Sequence, residues 1–246
     1  TLPIPRVEQP TIECLEIEIR GHRGHRIAEN SYDLYVLPGA VSSKAGQVFS
    51  YTEDMAELAT RLHDAGFMTA ASGDRSTILL TRSYDLSVHS HLQSGGPVIL
   101  IADFDSILPK EWNLKVASRS GTEFDGRWFS NFNWIRWDRL PFSEIALRPI
   151  LGFESTHVAP TCVIHGVPAE NFDDVLSGIT YGWLNNNCAL AMQMRVEGTP
   201  LLLTTFCFDR YGIDPFATEL LNSFIRYVPS SNCRPGIDYL TSDISS

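Results

Sequence analysis

The chain has 246 residues, enough for one large domain or for one domain with a fragment of another, and 43% of them are hydrophobic, ordinary for a protein that buries a core. Its formal net charge of −10, with Lys and Arg scattered rather than striped, argues against nucleic-acid and anionic-membrane partners. No apolar run approaches the ~20 residues of a membrane-spanning helix.

The first ten residues, TLPIPRVEQP, show no charged-then-apolar leader pattern. An opening on Thr1 is expected of a chain whose leader was removed, or of a piece of a longer polypeptide. Residues 11–20, TIECLEIEIR, then alternate apolar and charged, the period of a half-buried strand. GHRG (21–24) reads as a turn and RIAENSYDLYVLPG (26–39) as a second extended segment ended by Pro-Gly. Two such strands are marginal alone in water, so the pair is expected to need a sheet to join or an edge bonded to another chain.

After residue 40 the pattern changes. VFSY (48–51) predicts a short strand, and Thr52 or Asp54 an N-cap for a helix bearing Met55, Leu58, Ala59 and Leu62 on one face, with Gly66 at its end. MTAAS (68–72), STILLTRS (76–83) and PVILIA (97–102) predict strands, with LSVHSHLQ (86–93) a helix before the last. Strands alternating with helices imply parallel crossovers. Residues 121–137 read as an aromatic-rich loop with short strands, CVIHGV (162–167) as a strand, and 190–208 as a hairpin turning at Glu197-Gly198. Residues 214–228 form a closing helix with Asp214 as N-cap, Pro215 in its first turn and Phe216, Leu220, Phe224 and Tyr227 as its apolar stripe; the tail after Pro229 reads as loop.

Four groups of residues invite a chemical reading. Asp103 and Asp105 follow the strand PVILIA as D-x-D, which resembles the first motif of haloacid-dehalogenase-type phosphatases, with Asp103 as nucleophile, Asp105 as acid/base and Mg²⁺ between them; Asp173-Asp174 would supply the later acidic motif. Against this, about 100 residues precede the motif and no Lys stands in a matching position, so a strand-end turn capped by Asp is the plainer expectation. Ser106 lacks the flanking glycines of a nucleophile elbow. Trp128, Asn131, Asn133, Trp134 and Trp137 offer aromatic faces and amides suited to stacking on sugar rings and binding hydroxyls, while the alternative is that the aromatics pack their loop onto the sheet.

The seven histidines form no metal motif and are expected at the surface; His89 and His91, two apart, fall on different faces of their helix. The five cysteines are spread too widely for zinc, with Cys162, Cys188 and Cys207 expected as buried free thiols, which fits a reducing compartment such as the cytoplasm. No metal or cofactor site emerges.

Taken in order, ENSYDLYVLP, LATRLHDAGF, ILLTRSYDLSVHSHLQSGGPVILIA, GRWFSNFNWIR, GITYGWLNNNCALAMQMRVEGTPLLLTTFCF and DPFATELLNSFIRYV resemble the C-terminal region of glycoside hydrolase family 2 enzymes of β-galactosidase type. The likeness runs from about Ala28 to Val228. It implies the end of an immunoglobulin-like sandwich over residues 1–40, then a class-I glutamine-amidotransferase-like, flavodoxin-like α/β domain over 41–246 with a mainly parallel sheet and flanking helices. A related domain in family 42 β-galactosidases takes part in trimer formation. The resemblance therefore implies a non-catalytic accessory or assembly role beside the rest of a parent glycosidase, with homo-oligomers and carbohydrate as further possible partners. It implies no catalytic residue here: DFDS lacks the amidotransferase cysteine turn, and the glycosidase carboxylates would sit on a separate barrel of ~250 residues.

Overall fold

The computed structural model describes residues 3–4, 6–38, 47–119, 132–145, 148–180 and 188–240. Two strands come first, β1 (Thr11–Arg20) and β2 (Arg26–Val36), paired antiparallel with each other and with no other strand among the described residues. A mixed α/β unit follows, built from β3 (Val48–Tyr51), α1 (Ala56–Asp64), β4 (Met68–Thr69), β5 (Ile78–Thr81), α2 (Leu86–Gln93) and β6 (Val98–Ile101). It continues with β7 (Lys115–Ser118), β8 (Phe132–Ile135), β9 (Cys162–His165), β10 (Val175–Thr180), β11 (Ala189–Val196), β12 (Thr199–Thr204), α3 (Pro215–Tyr227) and β13 (Asp238–Tyr239).

The main path of the large sheet is β4-β3-β5-β6-β12-β11-β10-β8. Its first five strands are parallel, as the alternation of strands and helices predicted. From β12 onward the pairings turn antiparallel, because a two-residue turn joins β11 to β12 and so short a connection permits no crossover. Glu197 (φ 53°) and Gly198 (φ 72°) both sit in the left-handed region, the backbone that such a tight hairpin needs. The sheet is thus parallel on one side and antiparallel on the other.

Successive residues of the parallel strands face opposite layers. Phe49, Leu80, Ile99, Ile101 and Leu202 pack under α1 and α3, while Leu79, Val98, Leu100 and Leu203 pack under α2 and Trp112. Local signals start two of these helices. Asp85 accepts the N–H groups of Ser87 and Val88 at the head of α2, and Asp214 accepts that of Ala217 before Pro215 at the head of α3. The expected cap on α1 does not form: a 3₁₀ turn (Glu53–Met55) precedes that helix, and the Thr52 hydroxyl turns to Asp54 instead of a backbone N–H. α3 is also buried beyond its predicted stripe, since Leu221, Asn222, Ser223 and Ile225 are covered too.

The predicted boundary at residues 40/41 lies outside the described residues. The ribbon β1–β2 meets the α/β unit at its base, where Val36 is buried, Leu37 packs on the core and Asp33 pairs with Arg148. The tail after Pro229, read as loop from sequence, instead adds β13 parallel to β11. Asp174 explains how. Its buried carboxylate accepts N–H groups from Gly236 (2.9 Å) and Ile237 (3.0 Å) and the amide of Gln193 (3.0 Å), while Tyr227 donates to the other end of Gln193. Asp174→Ala strands these donors and is expected to cost about 3 kcal/mol in urea unfolding, with new proteolysis in 233–240.

His91 corrects the expectation of surface histidines. It is buried, its Nδ1 accepting the Gly73 N–H (2.8 Å) and its Nε2 donating to the Thr77 carbonyl (3.0 Å), partners that assign the neutral tautomer. Gly96 makes this possible, because a Cβ there would lie 2.3 Å from Nε2. Burial holds the His91 pKa below its ordinary value. A proton therefore binds the unfolded chain more readily, so this contribution is complete above about pH 6.5 and lost as pH falls below it. Thermal melts from pH 7.5 to 5 should show Tm falling on the acid side, and His91→Gln should lower Tm at pH 7.5 while flattening that fall.

Candidate functional site

In the parallel half, α1 leaves β3 toward one face of the sheet and α2 leaves β5 toward the other. The reversal parts the connections at the carboxyl ends of the strands, the place where open α/β sheets form their ligand crevices. A crevice of about 390 Å³ lies there, bounded by the segments that follow β3, β5, β6 and β12 and by residues 157–161. Met55, Ile101, Phe206 and Phe208 give it an apolar floor. Asp54, Glu57, Asp103 and Asp209 bring carboxylates, and Arg61 and Arg82 bring guanidinium groups.

Asp103 reaches this crevice, but its carboxylate is occupied. One oxygen accepts from Arg82 at 2.7 Å; the other accepts the Asp105 N–H at 3.1 Å and the Ser106 hydroxyl at 3.2 Å. The Ser106 hydroxyl in turn accepts the Asp103 N–H at 2.8 Å. Ser106 thus closes a turn, the role that short polar side chains take at strand ends. Asp105 is exposed and does not line the crevice. Asp173 and Asp174 do not line it either: Asp173 faces Arg136 at the surface, and Asp174 anchors the C-terminal segment. Among the described residues no group of three His, Cys, Asp or Glu side chains is placed to hold a metal ion.

Cys207 is the crevice residue whose position the sequence reading missed. It follows the parallel strand β12, is half-buried rather than buried, and shares the crevice with His157. Its thiol is nonetheless held above the ordinary cysteine pKa, first by burial and also by the neighbouring Asp209 carboxylate. That favours the unreactive thiol over the thiolate. Cys162 and Cys188 are buried as expected.

Of the aromatic segment, Trp128 and Asn131 lie outside the described residues. Asn133 and Trp134 are consecutive in β8 and point to opposite faces of the sheet. Asn133 accepts from Arg119 at 3.4 Å. The Trp134 indole packs against Phe172 with ring centroids 5.4 Å apart, and Arg136 lies over both rings. Gly178 leaves room beneath the indole, since a Cβ there would come within 2.6 Å of it. Trp137 is 45% exposed in the following turn.

No protein-family model matches the chain, and no curated protein matches it in sequence.

The bonding at Asp103 separates its two readings. As a turn and salt-bridge residue, Asp103→Asn should lower stability by about 1 kcal/mol, whereas Asp105→Asn should change it by less than ~0.5 kcal/mol. Neither variant should alter the hydrolysis of an aryl phosphate with Mg²⁺ present. Mg²⁺-dependent turnover that Asp103→Asn abolishes would establish the phosphatase reading instead.

Proposed function

We propose that the chain is a non-catalytic accessory and assembly module of a multidomain β-glycosidase, docking on the rest of that enzyme through residues 1–40. The observation that carries this reading is the two-faced ribbon. In the register of β1 with β2, Leu15 opposes Tyr32, Glu13 opposes Leu34, Ile17 opposes Asn30 and Ile19 opposes Ala28, so Leu15, Ile17, Ile19, Ala28, Tyr32 and Leu34 share one face. Cys14, Glu16, Glu18, Glu29, Ser31 and Asp33 share the other. Opposed residues lie on the same side of a sheet, so one face is mainly apolar, with Glu13 and Asn30 among its residues, and the other mainly acidic, with Ile12 and Tyr35 at its base. The apolar face is left in water: Ile17 is 44% and Ile19 56% exposed. One apolar and one charged face is the pattern of half a β-sandwich, whose inner surface another sheet covers.

The α/β unit supports the same reading. Its parallel order β4-β3-β5-β6-β12 has the first strand of the unit in second place, flanked by the second and third, an order that supports a flavodoxin-like reading. In the crevice, Glu57 and Asp103 are bonded to Arg61 and Arg82, and the Cys207 thiol is held above its ordinary pKa, which supports a scaffold that does not turn over substrate.

The test pairs this chain with the upstream part of its parent, expressed separately. Association is expected by calorimetry, and Ile17→Asp with Ile19→Asp should weaken it by at least about tenfold, as burying an unpaired charge demands. The melting of the α/β unit should not change, because those side chains lie outside its core. Equal binding by the double variant, or no association, defeats the proposal.

A further inference from the structure

The crevice has a charge character that selects among ligands. Four carboxylates share the crevice with two guanidinium groups, and both guanidinium groups are bonded to neighbours there. Arg61 is bonded to Glu57 at 2.6 Å and to the Asp209 carbonyl; Arg82 is bonded to Asp103 at 2.7 Å and to the Asp54 carbonyl at 3.4 Å. Part of each guanidinium's set of five N–H donors is therefore already engaged, which weakens its hold on an incoming phosphate or carboxylate. Asp54 and Asp209 carry no salt bridge among the described residues, so the crevice holds a surplus of negative charge. The surplus is spread along the rim and is not gathered around one point. A hard divalent ion, which needs several oxygens converging at 2.0–2.6 Å, finds no such cage among the described residues.

An organic cation needs no cage. Its charge can be shared between separated carboxylates while its carbon body covers apolar surface, here Met55 and Phe206 on the floor and Phe104, 68% exposed, on the rim. A volume of 390 Å³ is at the small end of ligand pockets. We propose that this crevice binds a small organic ammonium ion, its charge taken by Asp54 and Asp209 and its apolar body by Met55, Phe104 and Phe206. The proposal is independent of the docking role, since the ribbon contributes nothing to the crevice.

The experiment is an amide NMR titration of the whole chain with two probes of like size and opposite charge, phenethylammonium and phenylacetate. Phenethylammonium is expected to shift resonances clustered at Met55, Ala102–Phe104 and Thr205–Asp209, and phenylacetate at equal concentration to leave them in place. Asp54→Asn combined with Asp209→Asn should weaken ammonium binding by about tenfold or more, with Glu170→Gln, outside the crevice, as a control for bulk charge. Comparison of the two probes needs no variant and decides the matter if the double variant fails to fold. Shifts scattered over the acidic surface, equal or stronger binding of phenylacetate, undiminished binding by the folded double variant, or no saturable binding up to ~10 mM overturns the proposal.

Discussion

Val98, Ile99, Leu100 and Ile101 carry no polar side chain, and their strand lies between two others, so every one of them is buried and both faces of the sheet must be covered. Parallel pairing supplies that cover, because each crossover must return over the sheet and brings a helix with it. α1 and α3 close one face with Leu62, Leu220 and Phe224; α2 closes the other with Val88 and Leu92. Once the helices divide between two faces, the chain must reverse its direction of winding between β3 and β5. The crevice is the geometric residue of that reversal, and its existence does not depend on which side chains line it.

What lines it is a separate matter. The four segments that enter the crevice from the ends of β3, β5, β6 and β12, beside the 157–161 segment, carry polar residues because backbone leaving a buried strand must find hydrogen-bond partners, and Asp and Arg side chains provide them. Arg82 shows the economy of this: it binds the Asp103 carboxylate and also the Asp54 carbonyl, tying the ends of β3, β5 and β6 together. A guanidinium so engaged is poorly placed to clamp a substrate. The same bonds that order the strand ends therefore draw on the groups that an anion-binding site would use, and leave Asp54 and Asp209, without a salt bridge among the described residues, to set the crevice's charge.

Features written in neighbouring residues were legible in the sequence. Asp214-Pro215 marks the head of α3, Glu197-Gly198 the turn of the last hairpin, and Ser106 beside Asp103 the strand-end turn. Features that depend on partners distant in sequence were not. Asp174 was read as half of a later acidic motif, and nothing nearby indicates that Gly236 and Ile237, some 60 residues on, meet it. His91 looked like one of two surface histidines, although Gly96, five residues later, is the gap its ring fills. Beyond that hairpin and β9, the antiparallel half of the sheet was hidden for a related reason. β7, β10 and β13 are short strands without strong alternation, and they become strands by pairing with β9, β11 and β8.

The ribbon tells against one way of satisfying its own exposed surface. Pairing at an open strand edge was one expectation for two strands lacking a sheet, yet charges crowd those edges: Glu16, Glu18 and Arg20 along β1, Arg26 and Glu29 along β2. Charged side chains on edge strands oppose the addition of another strand, and Glu18 with Arg20 and Glu29 with Arg26 hold theirs in local ion pairs. Most of the apolar residues instead share one face, where their cover must come from above, while Ile12 and Tyr35 lie on the other face at the base. Exposure along that face grows outward, from buried Val36 at the base through half-buried Leu15 to Ile19 near the tip. The α/β unit thus covers the face only where the ribbon leaves it. A sheet laid across Leu15, Ile17, Ile19, Tyr32 and Leu34 would complete that cover while leaving the acidic face in water, which is why face-on docking suits these residues better than edge addition.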